Sequence, residues 1–186
     1  MPRGGWRGVV PAIALAVILA GCGTAEPTPG EASPVALRAE QAGWVLDVRL
    51  PSTTLAAVDA IPLETTLTWN GAAAQNAIWG SGSGVVTFSY AEIGGAGRSM
   101  GGVMNSDCRP HPFTRGVPVP IPPGKGWATT GEDPNLAFYR AWAADPALHL
   151  PAGRWRVVVG AEGMLAPCEA NAPQLKLSIP IELTIR

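Results

Sequence analysis

Leu175-Lys176-Leu177-Ser178-Ile179-Pro180-Ile181-Glu182-Leu183-Thr184-Ile185-Arg186 closes the chain, and every odd-numbered residue in it is a large aliphatic. A period of two over twelve residues puts Leu175 through Ile185 on one face of a β-strand and the polar set on the other; a helix would scatter both sets around its axis. This stretch predicts a long, half-buried strand, and the rest of the chain reads in the same period. Trp44, Leu46, Val48 and Leu50 alternate with Asp47 and Arg49, and Ile61, Leu63, Leu67 and Trp69 are in phase against Glu64, Thr66 and Thr68. Val85 to Tyr90 is β-branched and aromatic, and Trp155, Val157 and Val159 follow the corner Leu150-Pro151-x-Gly153.

Between these runs lie turn residues. Asn70-Gly71 ends one strand, Gly80-Ser81-Gly82-Ser83-Gly84 reads as a turn, and the glycine-heavy stretch from Ile93 to Asn105 is expected to be a surface loop. Val117-Pro118-Val119-Pro120-Ile121-Pro122-Pro123 carries proline at every second position, which removes the amide donors on one side only. Such a segment suits an edge strand that cannot pair outward; its alternative is an exposed polyproline-II ligand. Asp133-Pro134 reads as a helix cap followed by proline at the first helical position, with Leu136, Tyr139 and Ala143 on one face. The expected fold is therefore an antiparallel, immunoglobulin-like β-sandwich of about seven strands with one short helix.

The corner Leu150-Pro151-x-Gly153-x-Trp155, together with the strand Leu67-Thr68-Trp69, resembles bacterial immunoglobulin-like domains, including the intracellular proteinase inhibitor (BsuPI-like) group. That resemblance implies a sandwich and, as one function, protease inhibition. Trp155 stands where those domains often carry tyrosine, and no inhibitory segment accompanies it.

The other end of the chain is different in kind. Arg3 and Arg7 precede an uncharged run from Val9 to Ala20, too short to span a bilayer and fitting an export signal. Leu19-Ala20-Gly21-Cys22 then resembles the bacterial lipoprotein lipobox in all four positions. The resemblance implies that residues 1–21 are a signal peptide, that the Cys22 thiol takes a diacylglyceryl group, and that membrane lipid holds the protein at the extracytoplasmic face of the cell envelope, outer membrane included. Each buried methylene adds about 0.8 kcal/mol, so two or three acyl chains anchor firmly without a spanning helix. Residues 22–36 carry several prolines and no apolar period and read as a flexible tether, leaving 37–186 as the sandwich.

Of thirteen basic residues two lie in the leader, so the remainder faces fourteen acidic ones. A net negative domain offers no basic stripe for nucleic acid. Cys108 and Cys168 are an even pair of thiols in an exported chain, and a disulfide is expected. The competing reading is a copper or zinc site from Met100, Met104, Cys108 and His111. It has one other histidine to draw on, His149, and a calcium loop from Glu132, Asp133 and Asn135 would need the aspartate already used as a cap. Asp145 and His149 are four apart but lack a Gly-x-Ser-x-Gly elbow or a His-Glu-x-x-His pair, and His149 sits on the outward phase of an apolar alternation. No catalytic residue and no cofactor are expected.

What is left is recognition. Trp79 and Trp127 adjoin glycines and are expected in loops, where they can serve as ligand-binding aromatics for an envelope protein or a glycan. The expectation is a non-catalytic binding or structural domain, with metal handling and protease inhibition as alternatives.

Overall fold

The computed structural model describes residues 34–102, 107–126, 132–169 and 171–186. The expected signal peptide, Cys22, most of the expected tether, Met104 and Trp127 lie outside them.

The described chain is an all-β sandwich with one short helix. Its elements are β1 (Val35–Gln41), β2 (Trp44–Leu50), β3 (Thr54–Leu55), β4 (Glu64–Trp69), β5 (Gln75–Gly80), β6 (Val86–Glu92), β7 (Ser99–Gly101), β8 (Arg109–Thr114), β9 (Val119–Pro120), α1 (Leu136–Ala144), β10 (Gly153–Met164) and β11 (Gln174–Ile185). Eleven strands thus replace the expected seven or so, because β3, β7 and β9 are pieces of two or three residues that leave little periodicity to read. One sheet runs β1-β2-β4-β9; the other runs β3-β11-β10-β5-β8, with β6 also on β10 and β7 on β6. Pairing is antiparallel except where β3 joins β11 and at an isolated parallel bridge between Trp69 and Arg115.

The twelve-residue alternation that ends the chain becomes β11, and it pairs with all of β10 from Gly153 opposite Ile185 to Met164 opposite Gln174. This ribbon is the spine of the larger sheet. Leu175, Leu177, Ile179, Ile181, Leu183 and Ile185 are buried against Trp155, Val157, Val159 and the β2 set Trp44, Leu46, Val48 and Leu50. A one-residue slip would turn each of these faces to water, which is why the register is so firmly specified.

Several local expectations are corrected. β1 takes up Val35 and Ala36, which the sequence assigned to the tether, because Val35 pairs with Leu50. Ile61 and Leu63 are buried, but β4 begins only at Glu64. Asn70-Gly71 ends β4 as expected, and the chain then crosses to the other sheet at β5. Gly71 is needed for space: a Cβ there would lie 1.9 Å from Cη2 of Trp69. The glycine-heavy stretch does pack, as β7 pairs with β6 and places Met100, 2% exposed, in the core. Asp133 is not the helix cap; Asn135 holds that position, and the Asp133 carboxylate accepts a hydrogen bond from the Asn135 amide. The buried face of α1 is Tyr139 and Trp142, while Ala143 is exposed. His149 lies in an irregular segment and not on a strand.

Two of the edge strands, β9 and β8, carry prolines on their outward side. In β9, Ile121 donates its amide inward to the Thr65 carbonyl, so Pro118, Pro120 and Pro122 occupy the outward phase. β8 follows the same rule: Arg115 donates inward to Ala74, which puts Pro110 and Pro112 outward. The edge-strand reading of residues 117–123 therefore holds, and β8 repeats the device.

Helix α1 is held against the β6–β7 hairpin and the core. Trp142 meets Tyr90 at 5.4 Å between ring centroids, and the Tyr139 hydroxyl accepts a hydrogen bond from the Ser99 amide. The Lys125 ammonium donates to the carbonyls of Trp142, Asp145 and Ala147, satisfying groups that a helix C-terminus leaves unpaired. Its burial there pulls the Lys125 pKa down. Across the hairpin, Arg98 makes a two-pronged contact with Glu92, at 3.0 and 2.9 Å, and its guanidinium lies 4.8 Å from the Phe138 ring centroid.

Candidate functional site

At the far end of the β10–β11 ribbon, strand register lines up four residues on the face that looks away from the core. Pro110 on β8 is opposite Trp79 on β5, Trp79 is opposite Met164 on β10, and Met164 is opposite Gln174 on β11. Ile78, the neighbour of Trp79, is fully buried, so strand alternation sends the indole to the other face. Trp79 is therefore a strand residue and not the loop residue expected from its flanking glycine. Trp127, its expected partner, lies outside the described residues.

The approach of β5 to β10 depends on Gly163. A Cβ at that position would lie 2.3 Å from Cγ2 of Ile78 and 2.9 Å from the Trp79 carbonyl oxygen. Glycine thus brings Trp79 and Met164 into register at the single bridge between these strands.

Over this row opens a cleft of about 380 Å³, lined by Trp79, Ser81, Asp107, Glu162, Met164, Gln174, Lys176 and both cysteines. Cys108 and Cys168 form the expected disulfide, with Cα atoms 6.1 Å apart and a sequence separation of 60. It ties the segment before β8 to the segment after β10 and so forms one wall. Asp107 ties the same wall to the turn after β5: its carboxylate accepts the Gly82 amide at 2.9 Å and meets Nε of Arg109 at 2.7 Å. The Gly82 amide, then the Arg109 charge, hold the Asp107 carboxyl below its usual range. On the opposite side Gln41 acts in place of a strand. Its side-chain amide donates to the Gln174 carbonyl at 3.0 Å and accepts from the Lys176 amide at 2.7 Å, joining the tip of β1 to the open edge of β11.

The tryptophans differ in how their indole N–H groups are used. Trp69, Trp142 and Trp155 donate to the carbonyls of Ala73, His149 and Pro151, and Trp44 is fully buried. Among the described residues Trp79 alone is half-buried with an indole N–H that meets no acceptor. Glu162 and Lys176 face each other across β10 and β11, yet neither makes an ion pair among the described residues. The cleft therefore presents an aromatic plane, a carboxylate, an ammonium and the Gln174 amide, on a floor of paired strands.

Sequence reading found Trp79 and the disulfide but missed Met164, Gln174, Lys176, Glu162 and Gln41. The predicted strand around Trp155 stopped at Val159, short of the three positions that build the floor. The signal was present in Leu175 and Leu177, whose phase demands a partner strand of equal length.

The candidate metal ligands are not brought together. Met100 is in the core, Cys108 is disulfide-bonded, and His111 Nε2 lies 2.8 Å from the Ser81 carbonyl; Met104 is outside the described residues. His149 Nδ1 lies 2.6 Å from Asp145, in a second cleft otherwise lined by Ala57, Phe138, Ala141, Trp142, Leu150 and Pro151. The His149 contact and the Ala147 amide hold the Asp145 carboxyl below its ordinary range. The pair follows directly on the C-terminus of α1, where it fixes the turn back into Leu150. No protein-family model matches the chain, and no curated protein matches it significantly.

Proposed function

We propose that this chain is a lipid-anchored, extracytoplasmic protein of the cell envelope whose β-sandwich acts by binding a ligand in the Trp79 cleft. The lipobox Leu19-Ala20-Gly21-Cys22 supports the anchor, and the observation that carries the binding role is the cleft itself, where half-buried Trp79 stands in register with Met164 and Gln174 beside Glu162 and Lys176. β1 starts at Val35 opposite Leu50, and four residues further on β3 lies beside Thr184 and Ile185. The chain therefore enters the sandwich at the Ile185 end, and the cleft is at the Gln174 end. Eleven residues of extended strand separate them, roughly 36 Å at about 3.3 Å per residue.

The test has two arms on the full-length protein in its bacterial host. Wild type is expected in the membrane fraction with acyl chains on Cys22 by mass spectrometry, and Cys22→Ser in the soluble fraction. Ligand-induced thermal shifts, screened with saccharides, peptides and nucleotides, are expected for wild type and absent for Trp79→Ala at unchanged basal Tm. An unacylated wild-type Cys22 sinks the anchor, and a shift indifferent to Trp79 sinks the cleft.

A further inference from the structure

Resting on the reading of the cleft as a ligand site, we infer that its ligand is a glycan whose pyranose ring lies flat on the Trp79 indole and runs across the strands. The argument begins with what the surrounding sheet forbids. An extended peptide bound by main-chain hydrogen bonds needs an open strand edge. The outward phase of β8 is occupied by Pro110 and Pro112. On β11 the outward amides of Lys176 and Thr184 are taken by Gln41 and the Thr53 carbonyl, and Pro180 has none, so no two successive outward amides are left for an added strand. Strand addition is thus blocked on both sides of the cleft, and a ligand must bind to the face.

What the face offers suits a sugar. An indole carried on a paired strand offers the C–H face of a pyranose a large apolar contact at little entropic cost, since the side chain is already half-buried. Its N–H and the Glu162, Lys176 and Gln174 side chains, which meet no partner among the described residues, surround it with both donors and acceptors, which ring hydroxyls require and an apolar ligand would leave unsatisfied. Opposite charges directly across a strand pair give no net attraction for a strongly ionic ligand. The cleft's 380 Å³ falls at the lower end of the roughly 300–1,000 Å³ typical of small-molecule sites. That is room for a short stretch of saccharide and not for a folded partner.

The experiment uses full-length oxidised protein in a non-glycosidic detergent. It is titrated with tetrasaccharides of glucose, N-acetylglucosamine and a uronic acid, followed by tryptophan fluorescence and calorimetry. At least one is expected to bind saturably, with Trp79→Ala weakening it about tenfold or more and Trp79→Phe, which keeps a ring, only a few-fold. Glu162→Gln, which removes charge on the solvent face, reports on the site should Trp79→Ala lose its fold. No binding across the three sugars at millimolar concentration, or binding that all three variants leave unchanged, overturns the inference. If peptides or nucleotides bind with Trp79 dependence while sugars do not, the ligand class is wrong and the binding role stands. If no class of probe binds, both fall.

Discussion

The two ends of the β10–β11 ribbon are built on different principles. From Trp155 to Ala161, β10 is flanked by β11 on one side and by seven consecutive pairs with β6 on the other. There Trp155, the Glu92–Arg98 pair and helix α1 fix the packing by many independent contacts. From Glu162 to Met164 the second neighbour is reduced to one bridge with Trp79, and the structure relies on a disulfide, the Asp107 link and the Gln41 clasp. Burial does the work at one end and discrete fasteners do it at the other. The lesson is that a face left open for a ligand forgoes the packing that would otherwise hold it, so covalent and polar links take over.

This contrast can be broken by mutation. The largest effect is expected from removing the disulfide with Cys108→Ser and Cys168→Ser together, which costs about 4 kcal/mol by the loop-entropy argument for a closed loop of this size. Urea denaturation measures it, and hydrogen exchange should show early opening at Trp79 and Met164 with β6 and the middle of β10 still protected. Uniform loosening of the whole ribbon would refute the division into two ends.

Arg98→Met comes next, at about 2 kcal/mol, because it strands a carboxylate whose side chain is only 5% exposed. This loss depends on pH. Arg98, chiefly through its side-chain hydrogen bond, lowers the Glu92 pKa in the folded state. The pair's contribution is therefore full above the unfolded carboxylate value of about 4.3 and fades as pH falls through the lower folded value. The gap between wild type and Arg98→Met should accordingly be wide at pH 7 and narrow at pH 3. A gap constant with pH would show that Arg98 acts by packing on Phe138 alone.

The smallest effect is expected from Gln41→Ala, about 1 kcal/mol for two hydrogen bonds near solvent. Its value lies in location, since faster exchange should appear at the Lys176 amide and not at Thr184. Equal exchange at both would mean that the clasp does not hold the cleft end.

How far the sequence could be read follows the same division. Strands long enough to show a period were legible: β2, the second half of β4, β6, β10 to Val159 and all of β11. Met100 was misread because glycines around it hide a strand of three residues whose burial comes from β6. Trp79 was placed in a loop because Gly80 and the following glycines looked like turn chemistry, although only Ser81 to Gly84 make the turn. The α1 face was shifted by one position because Trp142 is drawn to Tyr90, a contact 52 residues away in the chain.

The sequence alone determined the period of two, hence a sandwich with Leu175 to Ile185 facing inward; it also determined the two thiols available to pair and the blocked edges at Pro118, Pro120 and Pro122. These follow from local rules, since side-chain alternation and the missing proline amide act within a few residues. Tertiary structure decided that Trp79, Met164 and Gln174 stand in one row, that Gln41 closes the edge of β11, and that Glu162 and Lys176 border the same cleft. Those facts depend on register between strands up to 133 positions apart, and register is set by how the buried faces fit together.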